Sequence, residues 1–114
     1  MGTVTTGSAA ARPDLVEPAE TLRLASVLTG FSIELRNIEA RLVDRHAPPG
    51  AYYPCILFAT TGEAAAFLPI LSRLIHGVLS ARERRRFHAV TVCRDPGGPG
   101  GLMYFPGLQS VARR

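Results

Sequence analysis

The sequence predicts a small α/β domain, with an α+β domain as the alternative, in two or three layers and in the order α-β-α-β-β. Three observations carry this prediction: an apolar stripe at helical spacing, a βαβ pattern after it, and a third strand-like segment near the end of the chain. The strands are expected to form a small three-stranded mixed sheet. A chain of 114 residues suits one domain with a modest core.

The first predicted helix is long and spans residues 18–46. The proline at position 18 suits the first helical turn, where its missing N–H is not needed. Residues 47–50 contain two prolines and a glycine, which end the helix. Within it, large apolar residues recur at alternating spacings of four and three, and this makes a heptad stripe. The stripe consists of Leu24, Leu28, Phe31, Leu35, Ile38 and Leu42.

A βαβ unit follows the first helix. Residues 52–59 are apolar on both faces, which is typical of a strand that is covered on both faces. Thr60 and Glu63 have the spacing of a capping box, so a second helix begins there. Pro69 lies inside that helix and is expected to kink or split it. Residues 88–94 predict a second strand, which a right-handed crossover sets parallel to the first.

The remaining segments are predicted as loop, strand and tails. Residues 95–101 are rich in glycine and proline and form a loop, after which residues 102–105 return as a third, antiparallel strand. We expect residues 1–17 to be a flexible N-terminal tail and residues 109–114 a loose basic C-terminal tail. Residues 18–108 then form the single domain. Neither a secretory signal nor a membrane-spanning segment is expected.

The composition excludes some chemistry. All 13 basic residues are arginine and the net charge is +4. The absence of lysine excludes a Schiff-base lysine and a phosphate-binding loop that ends in lysine. The arginine and alanine bias is typical of a GC-rich bacterial genome. Cys55 and Cys93 lie in apolar segments without a C-x-x-C motif, which predicts buried thiols in a reducing, cytoplasmic compartment.

A candidate anion site lies where the first strand meets the second helix. Ligands of open parallel sheets bind beyond the carboxyl ends of the strands, and free N–H groups at a helix N-terminus attract anions. An arginine at the end of the parallel neighbour would complete the site, with the glycine-rich loop as a lid. Against this, Glu63 places a carboxylate at the same helix end. The site residues are Thr60, Thr61, Gly62 and Arg94.

The second helix is predicted to end near residue 86 in a cationic turn, which raises the alternative of nucleic-acid binding. Arginines bind phosphates, but cations in the last turn of a helix also offset its dipole while remaining solvated. Phe87 is the one aromatic residue beside the cluster, whereas base stacking uses several. Nucleic-acid binding therefore ranks below the other hypotheses. The cluster consists of Arg82, Arg84, Arg85 and Arg86.

The histidines and cysteines predict neither a metal site nor a cofactor. His46, His76 and His88 show no spacing typical of metal ligands. A nucleophile–base pair of Cys55 or Cys93 with His88 is a formal alternative. Small core residues are the better interpretation of both cysteines, since no activating neighbour stands beside them in the sequence.

The heptad stripe is the most specific pattern, and it has two interpretations. It is either a docking face for a second copy or another protein, or an internal face covered by the sheet or the second helix. Because monomers rarely expose large apolar patches, the small predicted sheet tips the balance towards association. The leading hypothesis is a non-catalytic interaction or accessory protein. A small enzyme or anionic-ligand domain using residues 60–63 and Arg94 is the second.

Overall fold

The computed structural model describes residues 11–12 and 18–111, and this part of the chain has an α+β fold with one antiparallel sheet. Short 3-10 turns join several of the helices and strands. The helices are α1 (Ala19–Thr29), α2 (Thr61–Val78) and α3 (Ala81–Arg84). The strands are β1 (Ala11–Arg12), β2 (Arg36–Glu39), β3 (Ala51–Phe58), β4 (Thr91–Arg94), β5 (Gly101–Tyr104) and β6 (Ser110–Val111).

The sheet has the order β1-β2-β3-β5-β4, with β6 beside the start of β3, and every described pair of strands is antiparallel. The predicted mixed sheet with adjacent parallel strands is therefore wrong. β3 and β4 run in the same direction, but β5 lies between them and pairs with both. Gly101 of β5 lies opposite Phe58 on one side and opposite Arg94 on the other. The predicted third strand and its antiparallel direction are confirmed.

The prediction of one long N-terminal helix is also wrong. α1 ends at Thr29, with Gly30 as its C-cap, and Ser32 adopts a left-handed conformation with φ of 59° that ends the helical path. The chain then forms β2, in which Ile38 lies opposite Tyr53 of β3. Strand pairing overrides the helical spacing of this segment, because pairing with β3 supplies hydrogen bonds and burial that the local sequence pattern does not reveal.

The six residues of the predicted stripe are consequently dispersed. Leu24 and Leu28 of α1 are fully buried in the core on one face of the sheet. Ile38 is fully buried on the opposite face. A continuous helical ridge therefore does not exist, and half of its supposed members already lie inside the domain. The other members are Phe31 and Leu42, each 47% exposed, and Leu35, which packs against the core.

α2 begins where the sequence predicts. The hydroxyl oxygen of Thr60 accepts a hydrogen bond from the N–H of Glu63 at 3.0 Å, which caps the helix. The helix continues through Pro69 without being split. A proline in a helix removes the hydrogen bond to the carbonyl four residues earlier. Here that residue is Ala65 on an exposed turn, where water can satisfy the carbonyl.

The end of the second helix differs from the prediction. α2 ends at Val78 rather than near residue 86. Ser80 starts the separate helix α3 with a complete capping box, in which Ser80 and Glu83 each bind the other's backbone N–H. The capping box starts a new helix at this point, and the chain changes direction there. The next strand, β4, accordingly begins at Thr91, later than predicted.

Both faces of the central strand β3 are covered, as its sequence predicts. α1 and α2 pack on the face that carries Phe58 and Met103. Residues 40–50 lie over the other face, where the rings of Tyr53 and Tyr104 stack with centroids 5.4 Å apart. α2 therefore packs directly on one face of the sheet. The residues of α2 that do not face the sheet remain available to line a site.

Parts of the predicted tails lie within the described residues. Ala11–Arg12 form β1 and Ser110–Val111 form β6, while the other residues of those tails, apart from residue 109, lie outside the described part. No helix in residues 18–111 combines the length and the apolar character that crossing a membrane requires.

The close approach of β5 to the start of α2 gives the first prediction. A Cβ added to Gly101 would lie 2.5 Å from the carbonyl oxygen of Thr60, a backbone atom. We expect Gly101→Ala to lower the free energy of unfolding by about 1–3 kcal/mol, because backbone must shift to admit the methyl group. Urea denaturation followed by circular dichroism measures this change.

Gly77→Ala is the matched control. A Cβ on Gly77 in α2 meets nothing within 4 Å, and alanine favours a helix over glycine by about 1 kcal/mol. We expect this variant to be as stable as the original protein or slightly more stable. Equal stabilities of the two variants would contradict the tight contact at Gly101.

Candidate functional site

A cleft lies between the second half of α2 and the segment that joins α3 to β4. Its volume is about 320 Å³, at the lower end of the range for small-molecule sites, which is roughly 300–1,000 Å³. Apolar side chains make up most of its walls, and polar side chains stand among them. The apolar residues are Leu68, Leu71, Ile75, Phe87 and Val90, and the polar ones are Ser72, His76, Arg84 and His88.

One wall of the cleft is a face of α2. Leu68, Leu71 and Ile75 follow at spacings of three and four, so they project from the same side of the helix. Leu71 and Ile75 are nearly fully buried and also belong to the core of the domain. The exposed side chains of Ser72 and His76 come directly after them in sequence and form the rim. This wall is therefore continuous with the core behind it.

The opposite wall comes from the segment between α3 and β4. Phe87 is buried and its ring meets Phe105 edge to face, with centroids 6.0 Å apart. Phe105 is itself fully buried, which fixes the position of Phe87. Val90 is partly buried against the same core. The exposed His88 stands between them at the mouth of the cleft.

Two imidazole rings of the rim are tied to backbone carbonyls. Nδ1 of His76 lies 3.0 Å from the carbonyl oxygen of Ser72, and Nδ1 of His88 lies 2.6 Å from that of Arg85. Because a carbonyl oxygen can only accept, Nδ1 carries the proton in both rings. In the neutral form of each ring, Nε2 then holds a free lone pair.

The third polar group of the rim is a half-buried cation. Nη1 of Arg84 donates to the carbonyl oxygen of Leu79 at 2.9 Å, which anchors the side chain across the start of α3. The guanidinium has further N–H donors beyond this bond. Arg84 therefore brings a permanent positive charge to a cleft with largely apolar walls.

α1 holds α3 in its position beside the cleft. Arg23 of α1 forms an ion pair with Glu83 and donates to the carbonyl oxygen of Val78 at 2.9 Å. The hydrogen bond from the N–H of Ser80 lowers the pKa of the Glu83 carboxyl, and the charge of Arg23 lowers it further. The carboxylate is thus ionised at neutral pH and engaged on two sides.

The predicted arginine cluster is partly occupied inside the domain. Arg86 donates to the carbonyl oxygen of Gly107 at 3.2 Å and forms an ion pair with Glu20 at 3.3 Å. Arg84 is bound as described above. Half of the cluster therefore has a structural role, which weakens the nucleic-acid hypothesis without testing it. The exposed members without a partner among the described residues are Arg82 and Arg85.

The structure brings the residues of the predicted anion site to one end of the sheet, but does not place them side by side. β5 separates the end of β3 from the end of β4, so Gly101 stands between the Thr60 turn and Arg94. The Thr60 hydroxyl already accepts from Glu63. Arg94 is exposed and has no partner among the described residues. Thr61 and Gly62 are also exposed. Anion binding at this turn stays a prediction.

The glycine-rich loop closes the β4–β5 hairpin. Asp95 receives a hydrogen bond from the N–H of Gly97 on its side chain, and its own N–H donates to the carbonyl oxygen of Gly100, both at 2.9 Å. A Cβ on Gly100 would lie 2.2 Å from the carbonyl oxygen of Phe58. The end of the loop is thus packed against the end of β3. Movement of this loop as the predicted lid would have to break that packing.

Neither cysteine has the surroundings of a nucleophile. Cys55 is fully buried, and burial raises its pKa to about 12. Burial also raises the pKa of the partly buried Cys93, and the charge of Asp95 raises it further. Both thiols are therefore protonated at neutral pH. Within residues 18–110, histidine, cysteine, aspartate and glutamate form no group of three that could hold a metal ion.

The cleft unites residues that stand apart in the sequence analysis. In the sequence, His76 and His88 are considered as metal ligands, His88 also as a base beside a cysteine, and Arg84 as a phosphate contact. Comparisons with known protein families, curated proteins and solved structures found no match. In the sequence, polar Ser72 and His76 stand beside an apolar helical face, and this pattern could have indicated the wall on α2. No sequence pattern indicates the opposite wall, because its position depends on the turn after Val78.

The contrast between the cysteines gives the second prediction. We expect iodoacetamide to modify Cys93 at least about tenfold faster than Cys55 in the folded protein, because the thiolate reacts and Cys55 is both buried and protonated. Mass spectrometry of digests from timed reactions gives both rates. In urea the two rates should converge, and equal rates in the folded protein would contradict the burial of Cys55.

Proposed function

We propose that this protein is a non-catalytic binding domain whose cleft beside α2 takes a small, largely apolar molecule. The observation that carries the proposal is the composition of the cleft: five apolar residues form its walls, and an arginine and two histidines stand among them. Small-molecule sites share this pattern of an apolar pocket with a few polar groups that orient the ligand.

The rigidity of the walls supports binding. Leu71, Ile75 and Phe87 are each less than about a tenth exposed and belong to the main core. A preformed site costs little ordering free energy when a ligand enters. The arrangement thus favours a ligand that replaces water in an existing cleft, without requiring a change of fold.

The polar groups of the cleft favour binding over catalysis. General acid–base catalysis by histidine uses a ring that is oriented by one group and placed beside a nucleophile. Backbone carbonyls orient His76 and His88, which would suit a general base as well, so the difference lies in the second requirement. Among the residues that line the cleft, the only hydroxyl belongs to Ser72, and no hydrogen bond within the described residues joins it to either ring.

The heptad stripe, on which self-association was expected to depend, is not available as a docking surface. Leu24, Leu28 and Ile38 lie inside the domain, so no helical ridge is left to dock a second copy or a partner protein. The wider hypothesis of an accessory protein without enzymatic activity is retained. What changes is the ligand, from another helix to a small molecule.

The third prediction tests the cleft with three molecules that share one alkyl chain: octanol, octanesulfonate and octylamine. We expect saturable binding with a Kd on the order of 1 mM or tighter for at least one of them. Chemical-shift changes in NMR spectra should concentrate on the residues that line the cleft, which identifies the site along with the affinity.

Two variants on α2 complete this test. Ser72→Trp places a large ring at the mouth of the cleft and is expected to weaken binding at least about tenfold by occupying the space. Ala65→Trp is the matched control, since Ala65 is equally exposed on α2 and does not line the cleft. The proposal fails if none of the three molecules binds saturably, or if Ser72→Trp leaves their affinity unchanged.

A further inference from the structure

We infer that the ligand of this cleft carries an anionic group, and that His76 and His88 take up protons when it binds. This inference rests on the proposed function and adds the charge of the ligand to it. The relevant chemical class is an amphipathic anion, with an apolar body against Leu71, Ile75 and Phe87 and an acidic head group at the rim.

The hydrogen bonds of the two histidines determine which ring nitrogen can meet a ligand. His76 and His88 line the cleft, and both Nδ1 atoms donate to carbonyl oxygens, so the remaining nitrogen of a neutral ring, Nε2, is an acceptor only. An ionised carboxylate or sulfonate has acceptors only and needs donors opposite them. Protonation at Nε2 turns each ring into such a donor while leaving the bond at Nδ1 in place. The head group of an anion therefore binds best when the rings are protonated.

The charges around the rim favour an anionic ligand over a cationic one. Among the described residues, the titratable and charged side chains that line the cleft are all basic: His76 on α2, Arg84 on α3 and His88 before β4. Val90, which leads into β4, adds only an apolar surface. The neighbouring carboxylate of Glu83 is engaged by Ser80 and Arg23. A cationic ligand would meet Arg84 without a compensating carboxylate in the lining, whereas an anion is attracted to it.

Proton uptake fixes the direction of the pH dependence. Histidine side chains change charge between about pH 5 and pH 8. If binding requires the protonated ring, the affinity is highest at the acidic end of that range and falls as the pH rises. By linkage, the fall approaches about tenfold per pH unit for each proton taken up. Arg84 keeps its charge throughout, so it supplies a part of the affinity that does not vary with pH.

The test uses octanesulfonate, because a sulfonate remains anionic over the whole range and its own titration adds nothing. Isothermal titration calorimetry at about pH 7, in buffers that differ in ionisation enthalpy, counts the protons taken up per ligand. We expect a positive number, and an affinity that falls at least about tenfold between about pH 5 and about pH 8. Octanol, which has no charge, should bind with no such dependence.

Asparagine variants isolate the two Nε2 atoms. In His76→Asn and His88→Asn, the side-chain amide can still donate to the carbonyl that Nδ1 binds, but nothing replaces Nε2. The double variant should bind octanesulfonate without proton uptake, and the affinity that remains should not vary between about pH 5 and about pH 8. His46→Asn is the control, since His46 is exposed outside the cleft, and it should change neither quantity.

The outcomes separate the two proposals. Binding of octanesulfonate with no proton uptake and no pH dependence would overturn the role of the histidines while leaving the apolar cleft intact as a binding site. Preferential binding of octylamine would overturn the anionic ligand. Failure of all three molecules to bind would overturn the proposed function itself, and this inference with it.

Discussion

The pairing of β5 with both β3 and β4 is the constraint on which the rest of this structure depends. It places a buried strand between β3 and β4, the strands that precede and follow α2 in the chain, and so keeps those two from pairing with each other. The contact is tight enough that Gly101 leaves no space for a side chain beside the Thr60 carbonyl. The start of α2 and the end of the hairpin are therefore fixed together, and α2 lies across the sheet in one orientation.

With α2 fixed, the geometry of the cleft depends on how the chain returns to β4. The capping box at Ser80 and the ion pair between Arg23 and Glu83 turn the chain back along α2. Phe87 then anchors the returning segment by packing edge to face on Phe105. Each of these contacts is modest, because solvent screens exposed ion pairs. Together they keep one wall opposite the other.

The chemistry of the cleft follows from its position at the edge of the core. Leu71 and Ile75 serve both the core and the wall, so the apolar surface of the cleft is shared with the interior. His76 lies in the last turn of α2, Arg84 ends α3 and His88 lies in the segment after α3, and all three line the cleft. Backbone carbonyls set which ring nitrogen carries the proton, and this decides what the rings can offer a ligand.

The sequence by itself determined the features that the residue types of one segment encode. These are the Thr60 cap of α2, the doubly covered strand β3, the buried Cys55 and the antiparallel return of β5. Tertiary structure decided where a pattern ends and which partner it meets. Leu24 and Ile38 share one heptad spacing yet lie on opposite faces of the sheet, because β2 gains more from pairing with β3 than from continuing a helix past Gly30. The cleft belongs to this second class, since its walls are brought together by contacts between residues far apart in the chain.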